Sequence, residues 1–179
     1  MLRRQIRRTF RKPLIVVSPK KLLRFKEASS DIEDFGEGLR FKRVIEDTNK
    51  NLVAPEKVKR VIFCTGQVYY DLNEARTKEG RNDIAIVRVE QLAPFPFKYV
   101  VPEVEKYKNA EVMWVQEEPQ NYGCWYYMLP RFLNILNSVG RRGQLPAYAG
   151  REPSAASSTG YSKTHEKELR DFLKAAMTV

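Results

Sequence analysis

The chain has 179 residues, a length that suits one domain burying roughly 70% of its unfolded surface. Hydrophobic residues make up 42%, which supports a packed core and excludes global disorder, and no apolar run approaches the ~20 residues that span a bilayer. One histidine (His165) and two distant cysteines (Cys64 and Cys124) exclude most Ser/His, Cys/His and multi-histidine metal schemes, and point to a reducing compartment rather than a disulfide scaffold.

The net charge is +10, and it is concentrated at one end. Residues 1–26 carry Arg3, Arg4, Arg7, Arg8, Arg11, Lys12, Lys20, Lys21, Arg24 and Lys26 with no acid, so the rest of the chain is balanced. A basic segment on a neutral body has four readings: a transit peptide, a nucleic-acid arm, an anion-binding site, or a surface facing an acidic partner. Met1 to Phe10 is helix-like, with Leu2, Ile6 and Phe10 on one face. It runs without a linker into a strand candidate, Leu14 to Val17, which counts against a removable peptide. Lys20 to Lys26 reads as a short helix, Ile32 and Phe35 mark a helical turn in a polar loop, and Leu39 to Ile45 alternates weakly as a strand.

Val61 to Cys64 is a buried strand. Thr65-Gly66 follows, then a helix with Val68, Leu72 and Ala75 on one face, ended by Gly80. A single glycine falls short of a phosphate-binding fingerprint, so the turn reads as tight geometry. Ile84 to Val89 is the next strand, and two prolines stiffen the aromatic turn Gln91 to Phe97. Val100, Val101, Val104 and Tyr107 give a helical face in which Pro102 must occupy the first turn or kink the helix.

Val112 to Val115 is an apolar run that stops at Glu117 and Glu118; Pro119, Asn121 and Gly123 then make a turn. Trp125, Leu129, Phe132, Leu136 and Val139 form a helical stripe, in which Pro130 predicts a kink or split near Leu129. The unit is strand, polar loop, helix, and such loops lie where open α/β sheets bind ligands. Two adjacent carboxylates there suit general acid/base or metal chemistry, yet no histidine or third acid flanks them, which favours helix capping or ion pairing. Pro146 to Ala149 is a short strand candidate, Gly150 to Lys163 a small-residue loop, and Thr164 a cap for the last helix, with Leu169, Phe172, Leu173, Ala176 and Met177 inward. Ser154, Ser157, Ser158 and Thr159 would need a base, and His165 reads as structural. Strands alternating with helices predict an α/β fold with a mostly parallel sheet covered on both faces.

Five ordered blocks carry a resemblance over nearly the whole chain: LRRQ…RKPLIVVSPKKLLR from Leu2, VKRVIFCTGQVYYDL from Val58, IAIVRVEQLAPFPF from Ile84, WVQEEPQNYG from Trp114 and YAGREPSAASSTGYSKTHEKE from Tyr148. They resemble the carboxyl-terminal region of the thiamine-dependent dehydrogenase component of the 2-oxoglutarate dehydrogenase complex; the relative acting on 2-oxoadipate shares much of the pattern. The resemblance implies a transketolase C-terminal-type domain of three layers, with about five strands, over residues 14–179, and a basic helix over residues 1–13 connecting from an upstream domain. It implies a homodimer of longer chains, with thiamine diphosphate and Mg²⁺ held between two upstream domains. That enzyme decarboxylates 2-oxoglutarate and passes the succinyl group to a lipoyl group on dihydrolipoyl succinyltransferase, with dihydrolipoyl dehydrogenase in the same complex.

Nothing here matches the family's pyrophosphate motif, so no catalytic, cofactor or metal residue is assigned, and the isolated chain is expected to be inactive. Arg3, Arg4, Arg11 and Lys12 would face a neighbouring domain or an anionic effector, and Glu117, Glu118 and Arg151 are candidate loop contacts. The compartment implied is the mitochondrial matrix in a eukaryote or the cytoplasm in a bacterium. The alternatives are a free-standing regulatory domain of the same fold and a basic nucleic-acid-binding protein, whose binding would fall steeply with salt.

Overall fold

Three apolar runs that alternate in facing build the centre of the chain. In β2 (Arg60–Cys64), β3 (Ile84–Val89) and β4 (Glu111–Pro119), successive side chains point to opposite faces. Val61, Phe63, Ala85, Val87, Val89, Val112 and Trp114 enter one core, while Ile62, Cys64, Ile84, Ile86, Met113 and Val115 enter the other. Both faces are therefore apolar, which is the signature of a sheet covered on both sides. The computed structural model describes residues 2–179, with side chains from Arg4 onward.

A short β1 (Val44–Ile45) and a last strand β5 (Ala147–Arg151) complete a five-stranded sheet of order β1-β3-β2-β4-β5. Only β1 is antiparallel, against β3. Helices α3 (Phe97–Lys106) and α4 (Trp125–Ser138) bury Val100, Val104, Trp125, Met128, Phe132, Ile135 and Leu136 in the first core. Helices α2 (Val68–Lys78) and α5 (Ser162–Met177) bury Val68, Leu72, Phe172, Ala176 and Met177 in the second. The result is the expected three-layer α/β domain. Its chain order reverses about β2: β3 lies on one side and β4 on the other, so the connections leaving β2 and β4 diverge to opposite faces.

The chain divides into two compact units, between Glu37 and Gly38. The first holds α1 (Leu2–Arg7) and three single 3₁₀ turns, Lys20–Arg24, Lys26–Ala28 and Ile32–Phe35. No helix among the described residues is long and apolar enough to cross a membrane.

Several local expectations change. Leu14 to Val17 is not a strand; Ile15 is 85% and Val17 96% exposed, because no second strand pairs with the run. From Leu39 to Ile45, only Val44 and Ile45 pair. Both internal prolines are accommodated: α4 continues through Pro130 and α3 through Pro102, each the sixth residue of its helix. The carbonyls they leave without a donor belong to Tyr126 and Lys98, which are exposed and can be met by water. Thr164 lies inside α5, which begins at Ser162 after Tyr161 with no side-chain cap bond.

Candidate functional site

The parallel strands deliver all of their following loops to one end of the sheet, and there the polar side chains meet. β4 runs on to Pro119, so Glu117 and Glu118 are strand residues rather than loop residues. Consecutive strand residues point apart. Glu117 is half-buried and accepts a hydrogen bond from Gln67 Nε2 at 2.7 Å, while Glu118 is exposed. The two carboxylates do not converge on one ligand, and neither caps α4. Glu117 instead ties the connection after β2 to the end of β4, across the point where the strand order reverses.

The α4 cap comes from Gln116, which is 2% exposed. Its Oε1 accepts from Trp114 Nε1 at 3.0 Å and from the backbone N–H groups of Cys124 and Trp125 at 3.1 and 2.9 Å. Its Nε2 donates to the carbonyls of Glu118, Pro119 and Tyr122 at 3.3, 3.1 and 2.8 Å. One amide thus satisfies both the opening donors of the helix and the carbonyls of the turn. Gly123 fits beneath it with φ +64°, and a Cβ there would stand 2.9 Å from Gln116 Nε2.

Arg151, at the end of β5, is 5% exposed. Its Nε donates to the Glu117 carbonyl at 2.8 Å, and its Nη1 to the His165 carbonyl at 3.0 Å and to Glu168 Oε2 at 2.5 Å. Nη2 lies 3.2 Å from His165 Nε2. Thr159 Oγ1 donates to the same Glu168 oxygen at 2.7 Å, and these two hydrogen bonds hold the Glu168 carboxyl below its ordinary range. The structure therefore joins Arg151 to the backbone of Glu117, but not to the carboxylate of Glu117 or of Glu118. His165 is part of this structural network, as its position in the first turn of α5 suggested.

The neighbouring loops are tied together as well. Asn121 and Ser154 exchange two hydrogen bonds, Asn121 Nδ2 to the Ser154 carbonyl at 2.8 Å and Ser154 N–H to Asn121 Oδ1 at 3.0 Å. Tyr122 Oη donates to the Ala155 carbonyl at 3.0 Å, and Tyr127 Oη to the Leu92 carbonyl at 3.0 Å. Burial pushes the Tyr148 hydroxyl and the Cys64 thiol well up. Burial, with Glu118 adding, also raises the Cys124 thiol. These groups stay protonated and are poor nucleophiles. Among the described residues, no group of three His, Cys, Asp or Glu could hold a metal.

Of the basic candidates, Arg4, Arg11 and Lys12 are exposed side chains of the N-terminal unit; the Arg3 side chain lies outside the described residues. Lys12 and Arg8 sit 5.5 and 5.4 Å from the centroid of the Phe10 ring. Sequence reasoning missed Gln116, Gln67 and Glu168 because no motif singles out an amide or a helix carboxylate. Arg60 and Arg76 carried a signal, being arginines inside or facing apolar elements.

The sheet order, the two covered faces and the hydrogen-bonded loops at its carboxyl end define a three-layer α/β domain on a mostly parallel, mixed sheet. Residues 29–177 match the 2-oxoglutarate dehydrogenase C-terminal family, and the chain belongs to that family. It is 47% identical over 180 residues to mitochondrial 2-oxoglutarate dehydrogenase of Caenorhabditis elegans, with 100% of this chain and 17% of that protein aligned. It is 48% identical to the mitochondrial 2-oxoglutarate dehydrogenase-like protein of Xenopus laevis, over 98% of this chain and 17% of that one. The mitochondrial enzyme of Dictyostelium discoideum is 40% identical, over 99% of this chain and again 17% of its own length. The chain thus spans about one sixth of the length of these relatives.

Proposed function

We propose that this chain is the carboxyl-terminal assembly domain of a 2-oxoglutarate dehydrogenase subunit, and that on its own it is inactive. The observation that carries the reading is the alignment of the whole chain with a 17% share of a longer enzyme. The full subunit would oxidatively decarboxylate 2-oxoglutarate and succinylate a lipoyl group of dihydrolipoyl succinyltransferase, in a complex that also holds dihydrolipoyl dehydrogenase. Thiamine diphosphate and Mg²⁺ would be held by preceding domains of a homodimer, and they would supply the carbanion chemistry. The relatives named above are mitochondrial proteins, which supports a mitochondrial location for this one.

In this reading residues 14–179 are the assembly domain proper, and residues 1–13 connect it to what precedes. Arg3, Arg4, Arg11 and Lys12 would pair with acidic groups of the preceding domains, and Glu117, Glu118 and Arg151 would order the loops that meet them. The test is the size and activity of the native polypeptide in source-cell extract, detected with an antibody against this chain. A polypeptide several times larger than 20.9 kDa that decarboxylates 2-oxoglutarate supports the reading, with no turnover by the 20.9 kDa chain alone. A native band at 20.9 kDa overturns it.

A second reading, that the basic segment binds an anionic effector, is favoured by a cavity of about 510 Å³ lined by Gln5, Ile6, Phe10, Arg11, Lys12 and Pro13. An arginine fork suits a carboxylate or phosphate. If an effector binds there, Arg11→Ala in the full subunit weakens regulation by acyl-CoA or nucleotide about tenfold, the loss of one charge-assisted contact, and leaves the basal rate intact. Unchanged regulation sinks the idea.

A further inference from the structure

The large apolar side chains left in water are unevenly placed on the C-terminal unit. Phe97 and Tyr99 lie in the first turn of α3, Tyr126 in the first turn of α4, Tyr122 in the loop before it, and Tyr161 immediately before α5. All five are exposed, Tyr126 at 63% and Tyr161 at 79%. Every one of these positions follows a parallel strand, so all lie at the carboxyl end of the sheet. The opposite end, with loops 79–83, 107–110 and 139–146 and the last residues beside Arg60, exposes Leu145 and Val179 among the described residues, while Leu39 and Phe41, before β1, are exposed as well.

Loops that carry exposed aromatics are ordinarily mobile. Here they are pinned to one another: Tyr127 to Leu92, Asn121 and Tyr122 to residues 154 and 155, Arg151 to Glu117, and Gln67 to Glu117. A face whose loops are already ordered loses less entropy on docking. Tyrosine is a favoured anchor in such interfaces, because a rigid ring brings apolar area and its hydroxyl finds a partner at the rim. Exposed Glu118 and Glu152 lie at the same end, as do exposed Lys98 and Lys163, so its charge is mixed.

We propose that the carboxyl end of the sheet is a preformed docking face for a preceding part of the same polypeptide, which presents apolar pockets rimmed by hydrogen-bonding groups and charges of both signs. The occupant follows from length: this chain accounts for 17% of its relatives, so most of the surface available to it within one molecule belongs to the preceding residues. The inference rests on the proposed function above and adds to it the face that is used.

The test is hydroxyl-radical footprinting of the native polypeptide together with cross-linking from Lys163, which lies next to Tyr161 and Ser162. With each rate divided by that of the same amino acid free in solution, Tyr126 and Tyr161 should be about tenfold more protected than Leu145, as for side chains withdrawn from water in an interface core. Leu145 is 75% exposed in the chain and serves as the internal reference. Cross-links from Lys163 should run to preceding residues of the same molecule, with isotope-mixed subunits separating these from links between molecules. A longer polypeptide in which the two tyrosines are, after that normalisation, no more protected than Leu145 overturns the docking face and leaves the proposed function standing. Protection with cross-links only to a second copy overturns the occupant. A native polypeptide of 20.9 kDa overturns both.

Discussion

Gln116 shows how much of the carboxyl end hangs on a single side chain. Its six hydrogen bonds are made in a site that is 2% exposed, so water cannot replace them. Gln116→Leu keeps the volume and strands two helix donors, an indole N–H and three carbonyls; we expect a loss of about 3 kcal/mol, measured by chemical denaturation. Gly123→Ala attacks the same site from below, combining a positive φ with a contact of 2.9 Å to Gln116 Nε2, and should cost about 2 kcal/mol. The two effects should be far from additive, since both act through the Gln116 amide. Glu103 is the opposite case. Its Oε2 is buried without a partner, and burial raises its carboxyl, opposed by Lys106 and assisted by Glu46 and Asp47. A raised carboxyl means that the folded state prefers the protonated form. Stability therefore falls as pH rises from the unfolded carboxyl range through the folded pKa, and the cost is present above it. Glu103→Gln should stabilise the chain at pH 7 by about 1 kcal/mol or less. The gain should vanish as pH falls below the ordinary carboxylate range, and a gain of equal size at low pH would refute this account.

At the scale of elements, two buried arginines hold helices to strands. Arg76 of α2, 3% exposed, pairs with Asp47 and donates to the Ile84 carbonyl at 3.1 Å, while Asp47 Oδ2 also accepts from Ile86 N–H at 2.6 Å. This carboxylate, from the segment after β1, ties α2 to β3. Arg76→Met alone leaves Asp47 buried and unpaired and should cost roughly 3–5 kcal/mol, while Arg76→Met with Asp47→Leu should recover much of it, because two desolvated charges are removed together. Equal losses in the single and double variants would show that packing, not the ion pair, sets the cost. Arg60 acts similarly at the end of α5, donating to the carbonyls of Ala175, Ala176 and Thr178 at 3.1, 2.7 and 2.7 Å while Glu111 holds its Nε. The strands were legible in the sequence because Val61 to Cys64, Ile84 to Val89 and Val112 to Val115 are apolar on both faces. Leu14 to Val17 carries the same pattern and is not a strand, since a pattern records what a strand could bury but not whether a second strand is there to pair with it. Pro102 and Pro130 split neither helix, and the carbonyls four residues back, on exposed Lys98 and Tyr126, lie where water can meet them. Glu117 reads as a residue of the loop after the strand but lies within β4, and its partner Gln67 lies 50 positions away, beyond what local spacing can show.

For the molecule as a whole, the two units differ in how they hold together. All buried members of both cores lie between Val58 and Met177, and the partly buried residues packed against them begin at Val44. Among residues 4–37, none is buried, and Ile6, Phe10, Ile15, Val17, Leu23, Ile32 and Phe35 are exposed beside the basic run. A segment without a buried side chain contributes little hydrophobic free energy of its own. Removing residues 1–37 should therefore leave the melting temperature of the remaining domain within about 2 °C, since residues 4–37 contribute no buried side chain. The same segment carries ten of the chain's positive charges beside exposed apolar groups of its own, and under the function proposed above the cost of losing it should appear in the longer subunit. Replacing Arg4, Arg11 and Lys12 together by Ser should weaken the association of this domain with the rest of the subunit, read as faster proteolytic separation, with the loss growing smaller as salt is raised. A salt-independent effect would assign the docking to the apolar side chains, and a drop of more than 10 °C in the truncated domain would show that the segment completes the core.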